Sequence, residues 1–581
     1  MAPDLDNFLR PLAIDSRSVL GLSHGLASTF TRLAAESPDQ FLPTPISESM
    51  LRPARRIPGR FLAIDIGGTN LRVGFVELFS HGPEPLCVLL EEREPIEEHL
   101  KSDDPESLFS WIGRHIARTV RRACSEFAVP RDHELPMGVT FSFPMQQPSL
   151  AEAVLMPMGK GFALKADLDL AAHLVAGYDK HRAADLPPIR VAAIANDSVA
   201  TLVSFSYQLP ARDPGIRRRP AMALIVGTGC NATLPLRLSS LAPNKRPASV
   251  SVVRGIDDSS SDRRIVVNTE WSINGSAAPL RDLGLITTWD EILDHGGERP
   301  GFQPLEYMTA GRYLGELARL IFIDYYSRTS GKTPEDVVLT LPTPLRHRFG
   351  LSTFFLSHFR PDSKRGSLVQ QLDEEFPTEE NEGTNHFHWT PELADVLYRI
   401  AKAVEVRAAG IIAAATLGLL RSTGELPPPL SSIDGDVNRT EEEEELAVGY
   451  TGGCIQHFLD YLDDTQRFID EALRLEHAAV SGGRAAPRVV LVPCHDGGLT
   501  GAGILVPAAL AIRRNVLTDY SHFVDVMAVL PADELHHPMA TTRASAQSRL
   551  TPLQDQRQVS RSVTAPCISC YSPAPYRRLK N

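Results

Sequence analysis

An α/β protein of two similar lobes facing one cleft is what this 581-residue chain predicts. Short apolar runs, which read as buried strands, end again and again in glycine-rich turns. Residues 61–66 run into Gly67-Gly68, residues 221–226 into Gly227-Thr228-Gly229, and residues 446–449 into Gly452-Gly453. Helical patterns lie between them, and the turns are far apart in sequence. Strand–turn units repeated in two halves suggest phosphates bound between the lobes, because backbone N–H groups of a glycine turn approach phosphate oxygens with no Cβ in the way.

In chain order, residues 20–33 carry apolar positions at three- and four-residue spacing and predict an amphipathic helix. Pro43, Pro45, Pro53 and Pro58 then predict an extended connector. Residues 61–66 and 71–76 form a hairpin about the first glycine turn, which places Asp65 at a strand end with Thr69 and Asn70 beside it. A helix over 105–127, a strand over 136–143 and a helix over 169–181 follow. The strand 189–194 ends at Asn196-Asp197, next to a helix from Val199, so Asp197 stands where an Asp also serves as an N-cap. A strand over 265–268 leads to Glu270, and one helix over 305–324 carries Glu306 in its first turn. Residues 325–391 have no clear period. Residues 393–420 predict a helix pair or one bent helix. Residues 422–445, rich in Pro, Ser, Asp and Glu, predict a disordered acidic insertion. A helix over 458–476, a strand over 489–493 and a helix reached through Gly497-Gly498 close the ordered part. The polar segment 518–581 predicts a disordered tail.

Hydrophobic residues make up 43% and charged residues 22%, the composition of an ordinary globular chain. The net charge of −12 argues against nucleic-acid or anionic-membrane binding. Seven scattered cysteines are too few and too odd in number for a disulfide framework, and fit a reducing compartment. Cys567 and Cys570 lack the second pair that a zinc site needs. The N-terminus has no apolar signal core, and residues 408–420, bounded by Arg407 and Arg421, fall short of the roughly 18 residues of a membrane span. A cytoplasmic protein is the expectation, with association to the nucleus or the mitochondrial surface left open.

No G-x-x-x-x-G-K-[ST] loop and no G-x-G-x-x-G fingerprint is present, so neither a P-loop nor a dinucleotide fold accounts for the glycine turns. Taken in order, the motifs resemble the eukaryotic, fungal-type hexokinases, which have the two-lobed actin-like ATPase (ribonuclease H-like) fold. The resemblance rests on Phe61-Leu-Ala-Ile-Asp-Ile-Gly-Gly-Thr-Asn-Leu-Arg-Val73, Thr140-Phe-Ser-Phe-Pro144, Asn196-Asp197, Ile225-Val-Gly-Thr-Gly-Cys-Asn231, Glu270-Trp271 and Gly311-Arg-Tyr-Leu-Gly-Glu316, and spans about residues 20–514. It implies transfer of the ATP γ-phosphoryl group to the C6 hydroxyl of a hexose, glucose foremost, with Asp197 as general base. Ser142, Lys160, Asn196, Asn231, Glu270 and Glu306 would hold the sugar. Asp65, Gly67, Gly68, Thr69, Asn70, Arg72, Gly227, Thr228, Thr451, Gly452, Gly497 and Gly498 would face the nucleotide. Mg²⁺ would be held by phosphates and water rather than directly by side chains, with Asp65 reaching it through water. The family division places an N-terminal helix and connector in 1–57, a small domain in 58–205 and a large domain in 206–517.

The chain departs from the family pattern at functional positions. Gly159 stands where the sugar loop has a threonine, and Thr451 and Gly453 stand where the second phosphate motif has an aspartate and a serine. Two readings follow: a working hexokinase, or a catalytically weak or inactive relative that senses glucose. A regulatory protein could engage the second through the tail or the acidic insertion.

Overall fold

The computed structural model describes residues 4–51, 57–101, 105–127, 129, 131–156, 168–212, 216–247, 249–251, 262–297, 299–361, 364–377, 387–426, 444–478 and 487–514. Lys160, the Gly159 departure, most of the acidic insertion and the tail lie outside them.

Two sheets organise these residues. The strands of the first are β2 (Gly59–Ile66), β3 (Asn70–Leu78), β4 (Leu86–Pro95), β5 (Leu135–Phe141) and β8 (Ile189–Asn196), and a small hairpin pairs β6 (Met145–Ser149) with β7 (Glu152–Leu155). Their order is β4-β3-β2-β5-β8: an antiparallel meander, then two strands parallel to β2. The second sheet holds β1 (Leu42–Ser47), β9 (Arg218–Val226), β10 (Cys230–Arg237), β11 (Arg264–Asn268), β12 (Glu445–Thr451) and β13 (Val489–Pro493), in the order β1-β11-β10-β9-β12-β13. It repeats the plan, with β11-β10-β9 as the meander and β12 and β13 parallel to β9. The two similar lobes expected from the glycine turns are therefore one topology used twice.

The proline-rich connector contributes more than a link. Residues 42–47 pair with β11 as an edge strand, the one place in a sheet where Pro43 and Pro45 leave no ladder bond unmade in the interior. Helix α1 (Ser16–Glu36), capped by the Asp15 carboxylate on Ser18 N–H at 2.8 Å, lies along a long helix of the second lobe. The first sheet is covered by α2 (Pro105–Glu126) and α3 (Leu170–Asp179), whose apolar faces join Leu62, Ile64, Val139 and Ile194 in one core. Helix α4 (Asp197–Arg212) follows β8 directly.

In the second lobe, α5 (Thr288–His295), α6 (Gly311–Ser330), α7 (Pro391–Ser422) and α8 (Tyr461–Ala478) pack about the six-stranded sheet. Residues 393–420 form a single helix, α7, begun by Thr390 as cap and Pro391 in the first turn. Among the described residues α7 is long and apolar enough to cross a membrane, yet 89% of its most apolar window is buried inside the protein. Arg407 at its middle is fully buried and is held by both Asp290 oxygens at 2.7 Å. The last helix, α9 (Gly497–Arg514), returns to the first sheet: Leu499, Ala502, Leu505 and Val506 share a core with Ala63, Val76 and Ala193. A Cβ on Gly138 of β5 would stand 2.0 Å from the Ala502 carbonyl oxygen, so helix and sheet meet backbone to backbone.

Two expectations need correction. The single helix over 305–324 is two, Pro304–Tyr307 and α6, because Gly311 N–H and Arg312 N–H turn away to bond the carbonyls of Gly227 (2.8 Å) and Thr228 (3.1 Å). The acidic insertion is ordered at both ends. Glu425 pairs with Arg219 and Arg264, Glu444 with Arg219, and Glu445, the first residue of β12, with Arg218 and Arg488.

Candidate active site

Three corners of the fold carry the chemistry. The first is the β2–β3 hairpin, where register sets Asp65 opposite Arg72. Gly67 N–H closes the turn on the Asn70 carbonyl at 2.9 Å, and a Cβ on Gly68 would meet nothing within 4 Å, so this turn stands open. Asn70 Nδ2 donates to Thr69 Oγ1 at 2.9 Å, and Ile96 N–H fastens the Thr69 carbonyl from the end of β4. Arg72 donates twice to Glu91 (2.7 and 3.1 Å) and once to Asp496 (2.8 Å), and lies 3.8 Å from Asp65. Gly498 at the start of α9 abuts the same carboxylate, since a Cβ there would lie 2.5 Å from Asp65 Oδ2. Thr140 Oγ1 secures that contact by donating to the Gly498 carbonyl at 2.9 Å. Gly497 packs on Thr201 of α4, 2.8 Å from a would-be Cβ. Ser142 follows β5 and donates its N–H to the Ile66 carbonyl, one residue from Asp65.

Burial pushes the Asp65 carboxyl up to about 7, against the pull of Arg72 and with the help of Asp197, Glu91 and Asp496. The folded chain therefore holds this proton to a higher pH than the unfolded chain does. Between the ordinary carboxylate range and about pH 7, stability falls as pH rises, and it levels off above that. Asp65→Asn should flatten the slope, by on the order of a few kcal/mol across the window. Urea midpoints of both proteins at about pH 5 and pH 8 would check it; parallel pH profiles would refute the assignment.

The second corner is the junction of β8 and α4. Asn196 is buried, and its Oδ1 accepts from Ser198 N–H (2.9 Å) and Ser198 Oγ (2.6 Å). Asp197 is the first residue of α4, where the helix N-terminus favours a carboxylate, and its Oδ1 accepts from Ser198 N–H at 2.8 Å. Ser198 Oγ also reaches Thr233 Oγ1 on β10 and, at 3.3 Å, Asn268 Oδ1 on β11. Asp197 thus bears on Asp65 of the first sheet while its neighbour is bonded to the second.

The third corner lies at the ends of β9 to β12. Asn231 Nδ2 donates to Asn268 Oδ1 (2.9 Å) and Glu270 Oε1 (3.1 Å), and Asn268 Nδ2 donates to the same Glu270 oxygen at 2.8 Å. Glu270 itself has φ 43°, a left-handed conformation that costs a non-glycine residue about 1–2 kcal/mol. Buried Glu306 accepts from Cys230 N–H at 3.1 Å and Ser272 Oγ at 3.4 Å. Gly227 stands against Gly452, whose φ of 116° and approach to the Val226 carbonyl oxygen (2.3 Å from a would-be Cβ) admit only glycine. Thr228 is exposed beside them, and Thr451 ends β12 opposite Ile225.

Structure thus assembles Asp65, Arg72, Gly497 and Gly498 at the first corner and Asn196 with Asp197 at the second, and links Asn196 to Asn231 and Glu270 of the third through Ser198 and Asn268. Sequence reasoning missed Glu91, Asp496, Ser198, Thr233 and Asn268. Asn268 had one signal: it ends the strand that leads to Glu270.

Comparison with known proteins bears on the family and the fold. Two family models, each described as Hexokinase, match residues 4–207 and 221–508. Hexokinase-1 of Arabidopsis thaliana is 27% identical over 457 residues, 77% of this chain and 79% of that protein. Hexokinase-7 of Oryza sativa is 29% identical over 458 residues (78% and 84%), and Hexokinase-1 of Schizosaccharomyces pombe 26% over 461 residues (79% and 81%). The structure of a hexokinase from Schistosoma mansoni complexed with glucose superposes with a TM-score of 0.63 at 22% identity, covering 87% of this chain and 98% of that one. With two consecutive family models over most of its length and one sheet topology used twice, the chain belongs to the hexokinase family, as a divergent eukaryotic phosphotransferase of the two-lobed actin-like fold.

Proposed function

We propose that this protein phosphorylates a hexose, glucose foremost, at its C6 hydroxyl with ATP, and that Asp197 takes the hydroxyl proton. The observation that carries the reading is the place of Asp197, between the open phosphate turn with Asp65 and the Asn231–Asn268–Glu270 network. Phosphoryl transfer asks a protein mainly for positioning and charge compensation. Asn196, Asn231, Glu270 and Glu306 offer the paired acceptors and donors that a desolvated sugar needs, with Ser142 and Lys160 completing the set by family pattern. Gly67, Gly68, Thr69, Asn70 and Arg72 would face the phosphates, Gly227, Thr228, Thr451 and Gly452 the far side of the nucleotide, and Gly497 and Gly498 its adenosine.

Around Arg72 stand Asp65, Glu91 and Asp496, carboxylates that the guanidinium pairs, so a hard divalent cation would be held chiefly by the ATP phosphates and its own water. Mg²⁺ bound there would supply charge neutralisation on the transferred group, with Asp65 holding its water. Closure of the lobes over sugar would keep water from competing as acceptor. Retention of Asp197 with the whole Asn231–Glu270 network supports an enzyme over an inactive sensor.

A coupled assay of glucose-dependent ADP formation, beside tryptophan fluorescence read against glucose, tests the reading. Turnover of about 1–100 per second is expected. A saturable glucose response without turnover would leave the sensor, and no response to any hexose would overturn both.

A further inference from the structure

The strained turn at Glu270 is gripped from an unexpected quarter, the loop that enters β1. Gln40 is buried there, and its Nε2 donates to the carbonyls of Glu270 and Ile273, both at 3.0 Å. Only the N–H end of an amide can face two carbonyls, so chemistry fixes which way this side chain points. Phe41 N–H donates to the Thr269 carbonyl at 3.0 Å, and Lys245 Nζ holds the Gln40 carbonyl at 3.0 Å. Phe41 is left-handed too, at φ 53°. Its ring meets Phe30 of α1 at 6.1 Å, and Phe30 in turn stacks on Trp271, the residue after Glu270. Two adjoining turns in conformations that side chains disfavour thus hold each other, by main chain and amide on one side and by three rings on the other.

We propose that Gln40 is a positioning residue for the sugar site: its amide fixes the backbone of the Glu270 turn, and with it the carboxylate that Asn231 and Asn268 present to the hexose. This rests on Glu270 contacting sugar, as set out above. Gln40 meets the site through the main chain of Glu270 and not through its carboxylate. Its loss removes the shorter of the bonds to each of two carbonyls, leaving longer ones from Ile273 N–H (3.4 Å) and Ser276 Oγ (3.3 Å), and lets the Glu270 backbone relax out of the left-handed region. The sugar hydroxyl then meets a carboxylate that must be reordered on binding, so ground-state affinity suffers while the Asp197 step does not.

The test uses the full-length protein and glucose, with intrinsic tryptophan fluorescence for affinity (Trp271 adjoins the site) and the coupled assay for kcat and KM. Gln40→Leu, of similar volume and without donors, should weaken glucose binding by ~10-fold and raise KM in step, with kcat at saturation within about threefold of wild type. The decisive reading is a double-mutant cycle. On a Glu270→Gln background, Gln40→Leu should change glucose affinity by less than about twofold, because it acts through a carboxylate already removed. An equal loss in both backgrounds, or no loss in either, would overturn the proposal and leave Gln40 a packing residue. Should Gln40→Leu fail to fold, Lys245→Met loosens the same loop through the Gln40 carbonyl; a loss of affinity confined to the Glu270 background supports the proposal, and one independent of it does not. A wild-type chain with no glucose response refutes the sugar-site reading itself, which this cycle separates from a failure at Gln40.

Discussion

Asp197→Ala should lower kcat by about 10²–10⁴-fold, the usual contribution of a positioned general base, and leave glucose affinity within a few-fold of wild type. The asymmetry follows from the wiring of the site. The Asp197 carboxylate shares the Ser198 N–H with Asn196, but Asn196 is also held by Ser198 Oγ, and Asn231 and Glu270 are braced by Asn268. Removing the carboxylate therefore takes away the proton acceptor without unlacing the network. Asp197→Asn keeps the bond to Ser198 N–H and the size of the side chain, so it should be as slow as Asp197→Ala, because what is lost is basicity. The coupled assay at saturating glucose and ATP, with fluorescence titration beside it, measures both quantities. Undiminished turnover in either variant would remove Asp197 from the chemistry.

Asp290→Ala should destabilise the fold by about 3–5 kcal/mol, the cost of leaving a buried charge without its partner. Arg407 is fully buried at the centre of α7, and both its terminal nitrogens end on Asp290; the Leu285 carbonyl gives it one further bond. Asp290 also closes the capping box that begins α5, accepting from Thr287 N–H at 2.8 Å, so the substitution frays a helix start as well. Denaturant midpoints with unchanged m-values would measure the loss. Pairing Asp290→Leu with Arg407→Met should recover most of it, since an apolar pair of similar volume carries no desolvation penalty. A variant as stable as wild type would mean that water reaches Arg407.

Much of the site was legible because its residues sit where strands stop. An apolar run that ends in Gly67-Gly68, Gly227-Thr228-Gly229 or Gly452-Gly453 announces both a buried strand and the backbone freedom at its mouth, and Asp65 and Thr451 are fixed by the same register. Other elements left weaker traces. Strand β4 alternates half-buried and exposed positions over Glu91–Glu94 at a sheet edge, so its pattern resembles a charged loop. The break between Pro304–Tyr307 and α6 is invisible in the apolar spacing, because it is imposed by the Gly227 and Thr228 carbonyls some 80 residues earlier. Glu425, Glu444 and Glu445 look like part of a solvated acidic run; their arginine partners lie on other strands, and no local rule links them. Ser198 and Asn268 are short polar residues at element ends, where capping is the ordinary reading. Their role as a hub exists only once the start of α4 meets β10 and β11.

The return of α9 to the first sheet has a consequence for how the chain is made. Strands β2, β3, β5 and β8 have left the ribosome by residue 196, yet Ala63, Val76 and Ala193 wait for Leu499, Ala502 and Val506 to cover them. At about 5–20 residues per second of synthesis, the first lobe spends tens of seconds with one face of its sheet bare. The second lobe is delayed in the opposite sense, since β1 and α1 emerge first and must be held until β11 and α7 arrive. A nascent chain that stops short of α9 carries the Asp197 carboxylate and an open apolar face, which makes it a client of chaperones and proteases before it is a kinase.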